Sequence, residues 1–193
     1  PMKSKSGNIL IYNGEIFNFR DLRESLKKKY IFKTASDTEV LLAGLEIEGL
    51  SFLKKLNGFF AFAYWIRKKK KLIIARDPLG IKPLYYYKSK KKLYFASETQ
   101  SLFIKEEKKL NSKKDLFFEY LTRSSPSFNQ TFFKNVFEVQ PGFFLIIDTK
   151  NKIKKIKYYD ISTSWKKTRK DELPINSEDF KIKLEKNFSM LMK

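Results

Sequence analysis

The sequence has no cysteine and no histidine. Without cysteine there is no disulfide framework, no thiolate metal site and no thiol nucleophile. Without histidine the commonest general base and the commonest metal ligand are gone too, and we expect no metal site. Long apolar runs are also missing: the longest, Phe59 to Ile66, is far too short to cross a bilayer. The opening Pro1-Met2-Lys3-Ser4-Lys5 has no apolar stretch of the signal-peptide kind. No membrane partner is therefore expected, and the reading places the chain in the cytoplasm. Acidic residues are scarce, 21 against 41 Lys and Arg, which leaves a formal net charge of +20.

What the chain has in abundance is aromatic: 19 Phe, with Phe, Trp and Tyr together making 16% of 193 residues. Such a composition folds, and this length suffices for one core. The positive charge raises a nucleic-acid reading. It is spread along the chain, however, and its densest runs, Lys68 to Lys71 and Lys88 to Lys92, fall where hairpin turns are expected. The joint richness in Lys, Asn, Ile and Phe matches translation of an AT-biased genome. The charge reads as background, and a basic nucleic-acid binder stays only as a third, lower-ranked alternative.

Asn8 to Tyr12 is a β-favouring run ending at Asn13-Gly14, a turn signal. A helix should follow, capped by Asn18, with Phe19, Leu22 and Leu26 on one face and Lys27, Lys28 and Lys29 at its carboxyl end. Ser36-Asp37-Thr38-Glu39 has the spacing of a capping box and opens a second helix that runs towards Gly49. Phe59 to Ile66, apolar on both faces, reads as a central strand, and Leu72 to Arg76 as its hairpin partner. Leu84 to Tyr87 and Leu93 to Ala96 read as strands, and Phe143 to Ile147 with Ile153 to Tyr159 as a late hairpin. Helices are expected from Ser97 or Glu98 to Phe103, from Asp115 to Leu121, and from Phe180 to Met192. This order implies an α+β layered domain.

Several segments together resemble one family. Asn13-Gly14-Glu15-Ile16-Phe17-Asn18 resembles the NGEIYN motif of class II glutamine amidotransferases as spelled in glutamine-hydrolysing asparagine synthetases. Ser36-Asp37-Thr38-Glu39 resembles their SD-T-E motif, and Leu56 to Ala63 their L-x-G-M-F-A-F-A strand. Arg76-Asp77-Pro78-Leu79-Gly80-Ile81-Lys82-Pro83-Leu84-Tyr85 is similar to the RD-x-x-G-x-K-P-L-Y segment, and Phe95-Ala96-Ser97-Glu98 to the FASE that follows it. Gln140-Pro141-Gly142 with Tyr158-Tyr159-Asp160 is similar to the stretch that closes the domain. Each motif alone is weak; their shared order carries the resemblance.

The resemblance implies the four-layer αββα sandwich of N-terminal-nucleophile hydrolases, incomplete at its N-terminus. Residues 1–160 would form the amidotransferase domain, residues 161–179 a linker, and residues 180–193 the start of the ATP-binding synthetase domain. The Asn13 side-chain amide and the Gly14 backbone N–H would form the oxyanion hole. Glu15 and Asp37 would bind the α-ammonium group of glutamine. Arg76 and Asp77 stand between a structural role and substrate contact. The family nucleophile is an N-terminal cysteine, which these residues lack. We therefore expect an internal fragment that is inactive alone and holds no cofactor. In the full-length enzyme, ATP, Mg²⁺ and aspartate would serve the missing half, and a homodimer is compatible with the reading. Alternatives are a catalytically dead relative that binds glutamine or a partner, and another class II amidotransferase, such as those that make phosphoribosylamine or glucosamine 6-phosphate.

Overall fold

The computed structural model describes residues 1–89, 92–102, 113–123, 130–163 and 176–191. The chain divides into two compact units, Pro1–Gly14 with Phe59–Tyr158, and Glu15–Gly58 with Tyr159–Lys193.

The first unit is built on two antiparallel sheets. The larger contains β1 (Met2–Lys3), β2 (Ile9–Ile16), β3 (Gly58–Ile66), β4 (Lys71–Arg76), β8 (Phe143–Ile147) and β9 (Ile153–Lys157), in the order β1-β2-β3-β4-β8-β9. The smaller has β5 (Tyr85–Lys88) between β6 (Leu93–Ala96) and β7 (Val136–Glu138). The expected hairpin forms in register, from Ala61 opposite Arg76 to Ile66 opposite Lys71. β3 is central, and Phe60 to Tyr64 are buried without a break, as a strand covered on both faces requires.

Alternation decides which residues meet between the sheets. Ala61 and Ala63 of β3, Ile74 of β4, and Leu145 and Ile147 of β8 pack with Leu84, Tyr86 and Val139 from the smaller sheet and its flanks. The two alanines leave room for the Tyr86 ring, which also stacks on Phe137 at 5.4 Å. These sheets are the two β layers of the expected sandwich. Helix α3 (Lys114–Arg123) contains the expected segment from Asp115 to Leu121.

In the second unit, α1 (Phe19–Leu26) packs against α2 (Asp37–Ile47). Leu22 and Leu26 are buried on α1, and Glu39 to Leu45 are buried in succession on α2. A 3-10 stretch, Gly49–Lys55, follows and sets the Phe52 ring where a Gly44 side chain would lie. Helix α4 (Ser177–Leu191) leaves Phe180, Ile182, Leu184 and Phe188 exposed.

Local signals misled in two places. Asn13-Gly14 is no turn: β2 runs through it to Ile16. The helix expected from Ser97 is a short 3-10 turn, Gln100–Leu102, and Phe103 lies outside the described residues. Residues 164–175 of the expected 161–179 linker also lie outside them, and α4 begins at Ser177. The short strands β1 and β7 and the Gly49–Lys55 turn carry too little periodicity to be read from sequence.

Candidate functional site

Strand β2 ends in Asn13, Gly14, Glu15 and Ile16, and alternation exposes Ile11, Asn13 and Glu15 while burying Leu10 and Ile16. Glycine at position 14 follows from a close approach. A Cβ there would lie 2.2 Å from the Phe59 carbonyl oxygen and 2.8 Å from the Phe60 Cα. That steric demand explains how an Asn-Gly pair sits inside a strand: β3 excludes any larger residue.

The direction of the Gly14 N–H follows from the ladder. Ser4 N–H donates to the Asn8 carbonyl at 3.0 Å, and Met2 lies opposite Leu10. In an antiparallel ladder this makes Met2 and Leu10 the next hydrogen-bonded pair. The N–H of Leu10, and by alternation that of Gly14, points to the edge that β1 occupies. β1 faces only Ile9 and Leu10, so beyond Leu10 no described strand lies on that edge. The Asn13 amide is held beside it: Nδ2 donates to Ser97 Oγ at 3.4 Å. Ser97 was given no role by sequence reasoning. Its signal was a small polar residue closing the apolar Leu93–Ala96 strand inside a family motif.

In the second unit, Ser36 is the N-cap of α2, and its Oγ accepts from Glu39 N–H at 3.3 Å. Glu39 does not complete the capping box. Its buried carboxylate turns to the preceding loop, accepting from Lys33 N–H at 2.9 Å and from Thr34 N–H at 2.6 Å and hydroxyl at 2.7 Å. Burial works to raise the Glu39 pKa. The Lys33 N–H, the Thr34 donors and the Arg23 charge outweigh it and hold the carboxyl below its ordinary range. The ordered loop fixes the start of α2, where Asp37 is the first helical residue. Asp37 Oδ2 accepts from Ile16 N–H at 3.1 Å, tying the strand segment after Glu15 to the helix N-terminus. Glu15 itself is exposed.

Asn18 occupies the N-cap position of α1 but makes no side-chain cap. Its amide instead bridges to the approach to β3, donating to the Lys55 carbonyl at 2.9 Å and accepting from Asn57 N–H at 3.0 Å.

Arg76 and Asp77 resolve to a structural role, and both are buried. Asp77 Oδ1 accepts from the N–H groups of Leu79 and Ile81 at 3.0 and 3.1 Å. Its Oδ2 accepts from Phe60 and Lys82 at 3.3 and 3.0 Å. Arg76 donates to the carbonyls of Gly80, Lys82 and Val139 and, at 2.6 Å, to Glu138 Oε1. The two charged side chains thus hold the N–H groups of Leu79, Ile81 and Lys82 and the carbonyls of Gly80 and Lys82 in the 77–82 loop, whose turn uses Gly80 at φ +70°. Gly142 N–H donates to the Asp77 carbonyl, and the Tyr158 hydroxyl donates to that of Arg76 at 2.7 Å. Burial, then the Asp77 charge, pushes the Tyr158 phenol far above its usual range. The Q-P-G and Y-Y-D motifs therefore converge on Arg76-Asp77.

Two stacked antiparallel sheets, one of which carries the Asn13-Gly14 pair on its strand β2, define an α+β domain. The chain belongs to the glutamine amidotransferase domain family, whose model matches residues 1–159. It is 35% identical over 168 residues to glutamine-hydrolyzing asparagine synthetase 2 of Bacillus subtilis (strain 168), covering 83% of this chain and 22% of that protein. It is 41% identical over 134 residues to glutamine-hydrolyzing asparagine synthetase 1 of the same organism, covering 69% and 21%. The chain thus spans roughly a fifth of the length of these relatives. Among solved structures, the glutamine phosphoribosylpyrophosphate amidotransferase from B. subtilis complexed with ADP and GMP shares the fold. Its TM-score is 0.57 at 23% identity, covering 82% of this chain and 31% of that one. Among the described residues no helix is long and apolar enough to cross a membrane.

Proposed function

We propose that these residues form the glutamine-binding part of a glutamine-dependent asparagine synthetase. The observation that carries the reading is the strand edge at Gly14, where the backbone N–H points past the end of β1 beside the anchored Asn13 amide. Two such donors suit the oxygen of a carboxamide that turns into an oxyanion when a nucleophile adds to its carbon. Because the donors sit on a strand, they need no reorganisation as charge develops. Glu15 and Asp37 supply carboxylates for the substrate α-ammonium, and the family match and the similar asparagine synthetases support that assignment.

These residues hold no cysteine, so the thiol that attacks glutamine is supplied from outside them, and alone they bind without turning over. The released ammonia would attack an aspartate β-carboxylate. ATP with Mg²⁺ would activate that carboxylate in the synthetase half, and none of the present residues is assigned to that step. A cytoplasmic setting goes with this reading.

The test is a titration of the purified chain with L-glutamine, followed by backbone amide NMR and by ammonia release. Shifts at residues 13–16 and 37 that disappear in Asp37→Asn, with no ammonia formed, are the expected result. Ammonia release without an added thiol would overturn the inactivity, and silence of those resonances would overturn the binding assignment.

A further inference from the structure

Topology gathers the positive charge that looks dispersed along the sequence. The turn between β1 and β2 lies at residues 4–8, that between β3 and β4 at 67–70, and that between β8 and β9 at 148–152. Arg67 N–H donates to Asn8 Oδ1 at 3.0 Å, which joins the first turn to the second. Leu72 pairs with Ile147, which sets the second beside the third. All three turns therefore stand at one end of the six-stranded sheet. Asn13 and Gly14 lie towards the other end, where β2 finishes.

Lys3 and Lys5 flank or occupy the first turn, and Arg67 through Lys71 form the second. Lys150 and Lys152 sit on the third, with Lys154 just beyond. All are exposed. The one carboxylate in these segments, Asp148, is engaged by the Lys150 and Lys152 N–H groups, both at 2.9 Å. Strands lie ~4.8 Å apart, so turns on alternate strand pairs stand ~10 Å apart and the row extends ~20 Å.

We propose that this row of turns is a binding surface for the phosphate backbone of a nucleic acid. A line of cations matches a linear polyanion better than a plane. A DNA duplex carries one charge per ~1.7 Å of axis, so a row of ~20 Å faces enough phosphates to engage it. An anionic membrane would also attract lysines, but stable attachment adds apolar insertion. None of the exposed large hydrophobic residues falls on these three turns. The row is chiefly flexible lysine and offers no aromatic platform at its tips, so recognition is of backbone charge and not of base sequence.

The experiment measures fluorescence anisotropy of a labelled random-sequence DNA duplex with the full chain across a salt series. Four phosphate contacts predict about 100-fold weaker binding on going from ~50 to ~200 mM salt. The rim variant Lys68→Gln/Lys69→Gln/Lys150→Gln/Lys152→Gln should bind at least ~10-fold more weakly and with a flatter salt dependence. The control Lys28→Gln/Lys29→Gln/Lys181→Gln/Lys186→Gln removes the same net charge elsewhere and should retain most of the affinity. Both variants change exposed side chains, and circular dichroism confirms their folding. Equal losses in the two variants would reduce the effect to net charge and overturn the site. So would binding that ignores salt, or tighter binding to phosphatidylserine vesicles than to the duplex.

Discussion

Asp77→Asn isolates the most demanding polar arrangement in the first unit. The Asp77 carboxylate is fully buried and accepts four backbone N–H groups, two on each oxygen. Asparagine keeps the shape but converts one oxygen to an NH₂ group. Whichever way the amide turns, that group faces two N–H donors, either Phe60 and Lys82 or Leu79 and Ile81. Hydrogen bonds to a charged acceptor contribute roughly 1.5–3 kcal/mol each, so losing two costs about 3–6 kcal/mol. Against a total stability of roughly 5–15 kcal/mol this is severe. With a shift of roughly 2–4 °C per kcal/mol in a chain of this size, Tm should fall by about 6–24 °C. Urea unfolding followed by circular dichroism measures it, and the midpoint should drop at constant slope. Asp148→Asn is the matched control. Asp148 also accepts two backbone N–H groups, but in an exposed hairpin where water replaces what is lost, so it should change little. A Asp77→Asn loss below about 1 kcal/mol would refute the reasoning, because buried donors would then be tolerating an opposing donor.

Three further outcomes follow from other contacts. Gly14→Ala puts a Cβ 2.2 Å from the Phe59 carbonyl, a backbone atom that cannot rotate away; it should cost about 1–3 kcal/mol and abolish glutamine-dependent shifts at residues 13–16. Unchanged thermal stability would show that β3 moves freely. Glu39 has a depressed pKa, so its contribution is complete above the ordinary value of 4.5 and is lost as pH falls through its lower folded value. Glu39→Gln should therefore flatten the acid limb of a pH-stability profile, and an unaltered limb would remove Glu39 from acid unfolding. Asn18→Asp keeps the acceptor for Asn57 N–H but sets an oxygen against the Lys55 carbonyl. It should destabilise by about 1 kcal/mol in thermal melts, whereas a simple N-cap residue would tolerate Asp.

The elements legible in the sequence were those whose signal is local. Phe59 to Ile66 announced a strand covered on both faces, and Ser36 and Gly49 bracketed α2 as cap and C′ residue. Asn13-Gly14 misled because the property that makes glycine good at turns, its missing side chain, was used instead to admit β3. Asn18 and Glu39 misled alike. Both have the chemistry of caps, yet each finds a better partner in the loop or strand that the fold brings alongside. Ser97 and Asn13 are 84 residues apart, and no periodicity joins them.

The same distinction decides how the charge should be read. A run of lysines at a hairpin is unremarkable while each hairpin is considered alone, because turns are solvated wherever they fall. What changes the inference is strand order. In β1-β2-β3-β4-β8-β9 every tight hairpin joins adjacent strands, so three turns that are far apart in sequence return to one end of the sheet. At the opposite end Arg76 and Asp77 are buried at the 77–82 loop and Arg76 pairs with the half-buried Glu138, while Glu15 and Lys157 stand exposed. An even scatter of an abundant residue over tolerant surface would not concentrate ten cations around a single carboxylate. The rim and control variants, equal in charge and different only in place, separate those two accounts.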